Sequence, residues 1–210
     1  MFYPVFLDIR NRMALVVGGG IVAERKIESL LEAGARITLV SPEATQALLE
    51  HSKSGRIVWH PRRFDFSDLD GASIVISATD DADVQKEVAS AAASRNIPVN
   101  TVDKPELCTF IVPSVVRRGG VTVAISTGGR SPSIAAQLRA RIDRVLTDDV
   151  ERATNLMGTL RSEVHQRFPD ADQRKRVFDR IIESGIMEWI GECDDVAALQ
   201  RARRIIDEAR

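Results

Sequence analysis

The sequence predicts an α/β fold: a doubly wound parallel sheet, then a small strand-and-helix segment, then a helical tail. Three observations lead there. Short apolar, β-branched runs alternate with helical patterns through the first half of the chain. A glycine triplet stands between the first such run and the first helix. After about Asp148 no strand pattern recurs.

Taken in order, "MALVV" (Met13 to Val17) has the uninterrupted apolar character of a strand buried on both faces. Ile21 to Ala33 has helical spacing and stops at Gly34. "RITLVS" (Arg36 to Ser41) is a second strand, and Pro42 suits the first position of a helix running to about Ser54. "IVWH" (Ile57 to His60) is a short third strand and "ASIVISAT" (Ala72 to Thr79) a fourth. A helix follows from about Asp81 to Arg95, then "IPVNTV" (Ile97 to Val102) as the fifth strand. Beyond Pro113 the pattern changes. "TFIVPSVV" and "VTVAIST" flank Arg117-Arg118-Gly119-Gly120, the signature of a hairpin rather than a crossover. Pro132 opens a helix to about Val145, and helices fill the rest, with breaks near Phe168-Pro169, Gly185 and Gly191 to Asp195. The expected division is 1–113, 114–146 and 147–210.

Composition narrows the function. With 29 basic and 30 acidic residues the formal net charge is -1, so neither nucleic acid nor an anionic membrane is expected as the main partner. No apolar run approaches the roughly 18 residues that span a bilayer. The start, "MFYPVFLDIRNR", lacks the basic and apolar pattern of an export leader. Cys108 and Cys193 stand far apart in no paired motif, which argues against a disulfide framework or a zinc site and for a reducing cytoplasm. His51, His60 and His165 have no metal-ligand spacing, so no resident metal is expected. The clusters Arg174-Lys175-Arg176 and Arg201-x-Arg203-Arg204 are interleaved with acids and read as solvated helix faces.

The chemistry is concentrated at three places. "LVVGGGIVAERK" contains Gly18-x-Gly20-x-x-Ala23, the dinucleotide fingerprint in its alanine-ended form, with a strand before it and a helix after. Gly18 permits the tight turn, Gly20 lets a pyrophosphate approach the backbone, and Ala23 lets helix and strand pack closely. Phosphates would then meet Gly19 and the amides of Ile21 and Val22 at the positive end of the helix dipole. A plain glycine turn is the competing reading. At the end of the second strand, where a carboxylate commonly takes the ribose, the chain has Ser41-Pro42 and then Glu43. No arginine follows directly, so NAD and NADP both stay open, with Glu43 as a ribose contact. Ala78 and Thr79, in "ATDD", are expected to line the cofactor, and Asp80 or Asp81 to cap the next helix.

The second place is "NTVDKPE", Asn100 to Glu106, at the carboxyl end of the fifth strand, where ligand crevices open. Asp103 there could accept a proton, or could simply form an Asx-turn before Lys104-Pro105; spacing alone favours the turn. The third is "STGGRSPSIA". Ser131 and Pro132 start a helix, and Ser126, Thr127, Gly128, Gly129 and Arg130 offer amides and a cation to an anion, or merely precede a helix.

Together these pieces resemble a known family. "YPVFLDIRNR", "VVGGGIVAERKIESLLEAGARITLVSP", "ATDD", "NTVDKPELCTFIVPSVV" and "STGGRSPSIA" run in order over roughly two thirds of the chain and are similar to precorrin-2 dehydrogenase, the N-terminal module of siroheme synthase. The resemblance implies a Rossmann-type domain and NAD-dependent oxidation of precorrin-2 to sirohydrochlorin. It implies Asp103 as the catalytic carboxylate, against the turn reading, and a homodimer built on 114–146. A tetrapyrrole with many carboxylates would find donors at Asn100 and in the Ser126 to Ser131 loop. Some members also insert ferrous iron. Fused relatives carry a methyltransferase domain, which this sequence does not show, so methylation is expected of another protein. The alternatives are a combined dehydrogenase and ferrochelatase, and a non-enzymatic NAD-sensing module that needs the glycines but not Asp103.

Overall fold

The computed structural model describes residues 2–192 and 195–209; Cys193, read above as unpaired, lies outside them. Two compact units divide at Val112/Pro113.

The first unit is a five-stranded parallel sheet, the doubly wound arrangement expected. Its strands are β1 (Met13–Val17), β2 (Arg36–Val40), β3 (Ile57–His60), β4 (Ala72–Ser77) and β5 (Val99–Thr101), in spatial order β3-β2-β1-β4-β5. Three helices cross between them: α1 (Ile21–Glu32), α2 (Gln46–Lys53) and α3 (Ala82–Ser94). Strand periodicity explains why both sheet faces are covered. Ala14 and Val16 join Ile37, Leu39, Ile74 and Ile76 under Ala23 and Ile27 of α1 and Leu48 of α2. The alternate residues Leu15 and Val17 join Val40, Val75 and Val99 under Val88, Ala91 and Ala92 of α3. The direction of strand addition reverses at β1, so the carboxyl ends of β1 and β4 open onto the crevice of such sheets.

Two boundaries differ from expectation, each for a hydrogen-bonding reason. The second helix does not begin at Pro42. Thr45 caps it, its Oγ1 accepting from the Leu48 amide (3.4 Å), and the Thr45 amide is itself tied to the Gly19 carbonyl (3.0 Å). The strand expected from Thr109 begins only at Ser114. Thr109 is already engaged with β5: its amide donates to the Val99 carbonyl (2.9 Å) and its Oγ1 accepts from the Val99 amide (2.8 Å). A short 3-10 turn over Phe66–Leu69, not anticipated, tucks Leu69 into the α3-side core.

The second unit holds a hairpin, β6 (Ser114–Arg118) and β7 (Val121–Ile125), and the helices α4 (Pro132–Val145), α5 (Asp148–Arg167), α6 (Ala171–Glu183), α7 (Ile186–Glu192) and α8 (Asp195–Glu208). The hairpin is antiparallel, pairing Arg118 with Val121 across Gly119-Gly120 as its turn. The segment 114–146 and the tail 147–210, expected as separate bodies, form one unit because α4 and α5 both pack on the hairpin. Leu156, Leu160, Ile181, Trp189, Ile190 and Ile206 bury the core of the tail. No helix among the described residues is long and apolar enough to cross a membrane.

The turn before β4 carries an ion pair between a half-exposed arginine and a buried aspartate. Arg62 donates twice to Asp68 (2.8 and 2.5 Å), and the Asp65 amide donates to the same carboxylate (2.8 Å). Burial alone would raise the Asp68 pKa, but the Arg62 and Asp65 hydrogen bonds outweigh it and hold the carboxyl below its ordinary value. This contribution is therefore present above about pH 4, the unfolded carboxyl value, and is lost as pH falls through the lowered folded pKa. Asp68→Asn should lower the melting temperature at pH 7 by a few degrees, equivalent to about 1 kcal/mol. The gap from wild type should close as the melts are repeated toward about pH 2; a gap that stays constant with pH refutes the ion-pair account.

Candidate functional site

β1 delivers the glycine triplet to the crevice, and the three glycines answer three different demands. Gly18 has φ +106°, a conformation that L side chains rarely adopt, and a Cβ there would stand 2.5 Å from the Ala78 carbonyl oxygen. It lets β1 turn hard against the end of β4. At Gly19 a Cβ would fall 2.0 Å from the Glu43 carbonyl oxygen, so this glycine admits the loop after β2. Gly20 is different. Nothing lies within 4 Å of its missing Cβ, and it occupies the N-cap of α1 with φ -83° and no side-chain cap. The first-turn amides of α1 are thus left facing open space, as an anion site requires. The positive φ of the turn thus falls on Gly18, while Gly20 has ordinary extended backbone.

A cleft of about 750 Å³ opens over this loop. Gly18, Gly19, Gly20, Ile21 and Val22 form its floor. Ser41, Pro42 and Glu43 form the β2 side, extended by Ala44 and Thr45, while Ala78, Thr79 and Asp80 form the β4 side. The structure therefore brings together every residue that the sequence proposed for the cofactor, and adds Ala44, Thr45 and Asp80. Ile21 is exposed at 68 %, an unusual setting for an isoleucine, and with Val22 it offers the cleft an apolar lip. Thr45 Oγ1 donates to Glu24 Oε2 (2.7 Å), tying the α2 cap to the first turn of α1. Of the two acids expected to cap α3, Asp81 does so, accepting from the amides of Asp83 and Val84 (3.0 and 3.2 Å). A missing side chain at Gly20 and an uncapped helix start fit a dinucleotide pyrophosphate well.

Asp103 follows β5 at φ +58°, a left-handed position that aspartate tolerates better than most residues. It is exposed, and among the described residues its carboxylate takes no hydrogen bond, so the Asx-turn of the simpler reading is not what shapes this loop. Its electrostatic neighbour is Lys26 of α1. Half-burial pushes the Lys26 pKa down and Arg25 pushes it further, while Asp103 pulls it up. Lys26 escaped sequence reasoning; its one signal is a lysine set between Ala23 and Ile27 on the buried side of α1. Asn100 is buried and directs its amide into the loop, donating to the Phe110 carbonyl (3.0 Å). It braces the loop there, a role the sequence did not suggest.

In the second unit, Ser131 caps α4 by accepting from the Ile134 amide (3.2 Å), with Pro132 at the first helical position. Thr127 Oγ1 accepts from the Ser131 amide and donates to its carbonyl (both 3.1 Å), and Ser126 Oγ accepts from the Gly128 amide (3.0 Å). These bonds close the loop on itself and leave Gly128, Gly129 and Arg130 exposed at its tip. Among the described residues no group of three His, Cys, Asp or Glu side chains is placed to hold a metal ion.

Residues 5–114 match the family model described as "Putative NAD(P)-binding", over half of the chain. The chain belongs to this NAD(P)-binding family. Residues 118–144 match the model described as "Sirohaem biosynthesis protein central", and 152–206 that described as "Sirohaem synthase dimerisation region". The resemblance drawn from the motifs stands. The siroheme synthase of Methylobacillus flagellatus is 41% identical over 203 residues, 97% of this chain and 44% of its own length. That of Thioalkalivibrio sulfidiphilus is 42% identical over 206 residues, 98% of this chain and 42% of its own length. The chain thus spans less than half the length of these relatives. Among solved structures, "SirC, precorrin-2 dehydrogenase" superposes with a TM-score of 0.79 at 25% identity, covering 97% of this chain and all of that one.

For an NAD(P)-binding chain the glycines make separable predictions. Gly20→Val should leave the fold within about 1 kcal/mol of wild type, since the position has ordinary φ and free space, while filling the room a pyrophosphate needs. Gly18→Val should destabilise by about 2 kcal/mol or more, from strain and the Ala78 clash. Calorimetry with NAD and thermal melts on both variants check this; NAD affinity retained in Gly20→Val contradicts it.

Proposed function

We propose that this chain oxidises precorrin-2 to sirohydrochlorin with NAD as hydride acceptor. One observation carries the reading beyond cofactor binding: at the carboxyl end of the parallel sheet Asp103 stands in a left-handed turn with its carboxylate exposed and, among the described residues, without a hydrogen bond, on the same sheet whose β1–β4 end holds the open glycine cradle. A sensing module needs the cradle alone. The likeness to a solved precorrin-2 dehydrogenase and to siroheme synthases supports the substrate class.

The reaction removes two hydrogens from the tetrapyrrole, one as hydride and one as a proton. Bound NAD supplies the hydride acceptor. The amides at the start of α1 hold its pyrophosphate, and Glu43, in the cleft wall after β2, takes the ribose hydroxyls. A carboxylate at that position also repels a 2′-phosphate, so NAD should turn over faster than NADP. Asp103 accepts the proton, and its negative charge stabilises the positive charge that develops as hydride leaves. Within the second unit, the exposed amides of Gly128 and Gly129 and the Arg130 guanidinium form a donor set suited to carboxylates. With no metal cage among the described residues, ferrous iron would enter as a second substrate, with the same carboxylate removing pyrrole protons.

We further propose a homodimer. The β6–β7 hairpin is a two-stranded sheet with its outer edges unpaired among the described residues, and α4 exposes Ile134, Leu138 and Val145. The segment 114–146 therefore joins the region 152–206, whose family model carries the dimerisation description.

Two measurements test these readings. Anaerobic incubation with precorrin-2 and NAD should give NADH and sirohydrochlorin together, and Asp103→Asn should cut turnover by about 10²-fold, a typical general-base contribution, with NAD affinity unchanged. Near-normal turnover in that variant removes Asp103 from the chemistry; iron uptake by added sirohydrochlorin without NAD separates the bifunctional reading. In sedimentation at micromolar concentration the protein should run as a dimer, and Leu138→Glu with Val145→Glu should shift it toward monomer. A wild-type monomer overturns the dimer.

A further inference from the structure

β5 is an edge strand, and an edge leaves amides and carbonyls in need of partners. Here the chain covers that edge by doubling back along it with side chains instead of adding a strand. Thr109 serves Val99, as described above. One step further along, Cys108 serves Thr101: its Sγ accepts from the Thr101 amide (3.1 Å) and donates toward the Thr101 carbonyl (3.2 Å). The same sulfur faces the Lys104 carbonyl (3.3 Å), and the Asn100 amide nitrogen points at it (3.6 Å). Thr101 and Lys104 are the two feet of the turn whose apex is Asp103, and the Lys104 amide closes that turn on the Thr101 carbonyl (3.3 Å). One sulfur therefore touches both sides of the left-handed turn, whereas the Asp103 side chain contributes no bond to it.

We propose that Cys108 is a positioning residue for the proposed oxidation: its thiol clamps Thr101 to Lys104 and so fixes the direction of the Asp103 carboxylate. The proposal rests on the function assigned above to Asp103. A thiol suits the task because its long C–S bonds and diffuse lone pairs reach several backbone groups that stand too far from one another for a hydroxyl. Without it, Thr101 and Lys104 are joined only by the long Lys104 amide contact (3.3 Å), while Val102 stays tied to Ser77 (2.9 Å) and the Lys104 carbonyl to the Leu107 amide (3.0 Å), so an aspartate at φ +58° is held less firmly in place. The three glycines stand apart from this clamp, since none of their close neighbours lies in residues 100–108; Gln85 links the two regions at the cleft wall, its Nε2 donating to the carbonyls of Thr79 (2.7 Å) and Val102 (3.5 Å).

The test compares Cys108→Ala and Cys108→Ser with wild type in the full chain, using two readouts. Hydrogen exchange by mass spectrometry needs no substrate. Cys108→Ala should exchange faster in residues 100–108 and unchanged in residues 13–32, with Cys108→Ser between it and wild type. With precorrin-2 and NAD, Cys108→Ala should lower kcat by about 10-fold, the scale expected when a general base is misdirected but present. The KM for NAD should not move, and serine should recover part of the loss. Unchanged exchange in Cys108→Ala overturns the clamp whatever the activity. Faster exchange with unchanged kcat overturns the link to Asp103. Wild-type protein that fails to oxidise precorrin-2 overturns the functional reading and with it the catalytic role of Cys108, while the exchange data still decide whether the thiol holds the turn.

Discussion

Everything at the carboxyl end of the sheet depends on how closely three backbone segments approach one another. The turn after β1 lies against the end of β4 at Ala78 and against the loop after β2 at Glu43, at distances that exclude even a methyl group. Two bonds register the approach: the Gly18 amide on the Val40 carbonyl (3.0 Å) and the Thr45 amide on the Gly19 carbonyl (3.0 Å). With β1, β2 and β4 locked in this way, α1 starts at a fixed point and its open amides aim into one cleft. Gly18 and Gly19 thus serve the fold, and Gly20 serves the ligand, although all three look alike in the sequence.

The far side of the site is built on the opposite principle. β5 has a neighbour on one edge only, so the sheet holds the Asp103 turn from one side, through the Val102 amide on the Ser77 carbonyl (2.9 Å). On the other side it is held by residues returning along the edge, chiefly Thr109 and Cys108, and by Asn100 bracing Phe110. Phe110 in turn packs against the core that contains Ala23 and Ile27 of α1. The carboxylate and the glycine cradle are therefore both referred to α1, one through side-chain packing and one through the backbone. Lys26, on that same helix and within electrostatic reach of Asp103, places a cation beside the acid.

Much of this was legible in the sequence because the signals were local. Five short apolar runs alternating with helical patterns mark five parallel strands, and Gly18, Gly20 and Ala23 carry their meaning in their spacing. Glu43, Ala78 and Thr79 followed from where such strands must end. What stayed hidden required contacts between segments distant in the chain. Pro42 reads as a helix start until the Thr45 amide is seen bound to Gly19. Thr109 to Val112 reads as a strand until Thr109 is seen paired with Val99. The clash that demands Gly19, the closeness of Lys26 to Asp103 and the four-way contact of Cys108 leave no trace in residue type or spacing. The structural role of Asn100 was hidden for the same reason: its position at a strand end suggested a ligand, and only the course of the returning loop shows the carbonyl it braces.

The groups kept free at this site have a cost, and the fold shows where it is offset. Unbonded amides at the start of α1, exposed Ile21 and Val22, and a left-handed aspartate each forgo stability that a cap, burial or a relaxed turn would have provided. Each sits directly beyond a strand whose side chains are sealed on both faces: Leu15, Val16 and Val17 before the glycines, and Val99, Asn100 and Thr101 before Asp103. The strain is thus confined to the last residues of the sheet, where a rigid layer anchors one end of each loop and water reaches the other. An insertion in the buried strands would disturb both sheet faces at once. A change at Gly20 or at the exposed Asp103 carboxylate falls outside that layer, so the roles proposed for them can vary while the parallel sheet beneath stays the same.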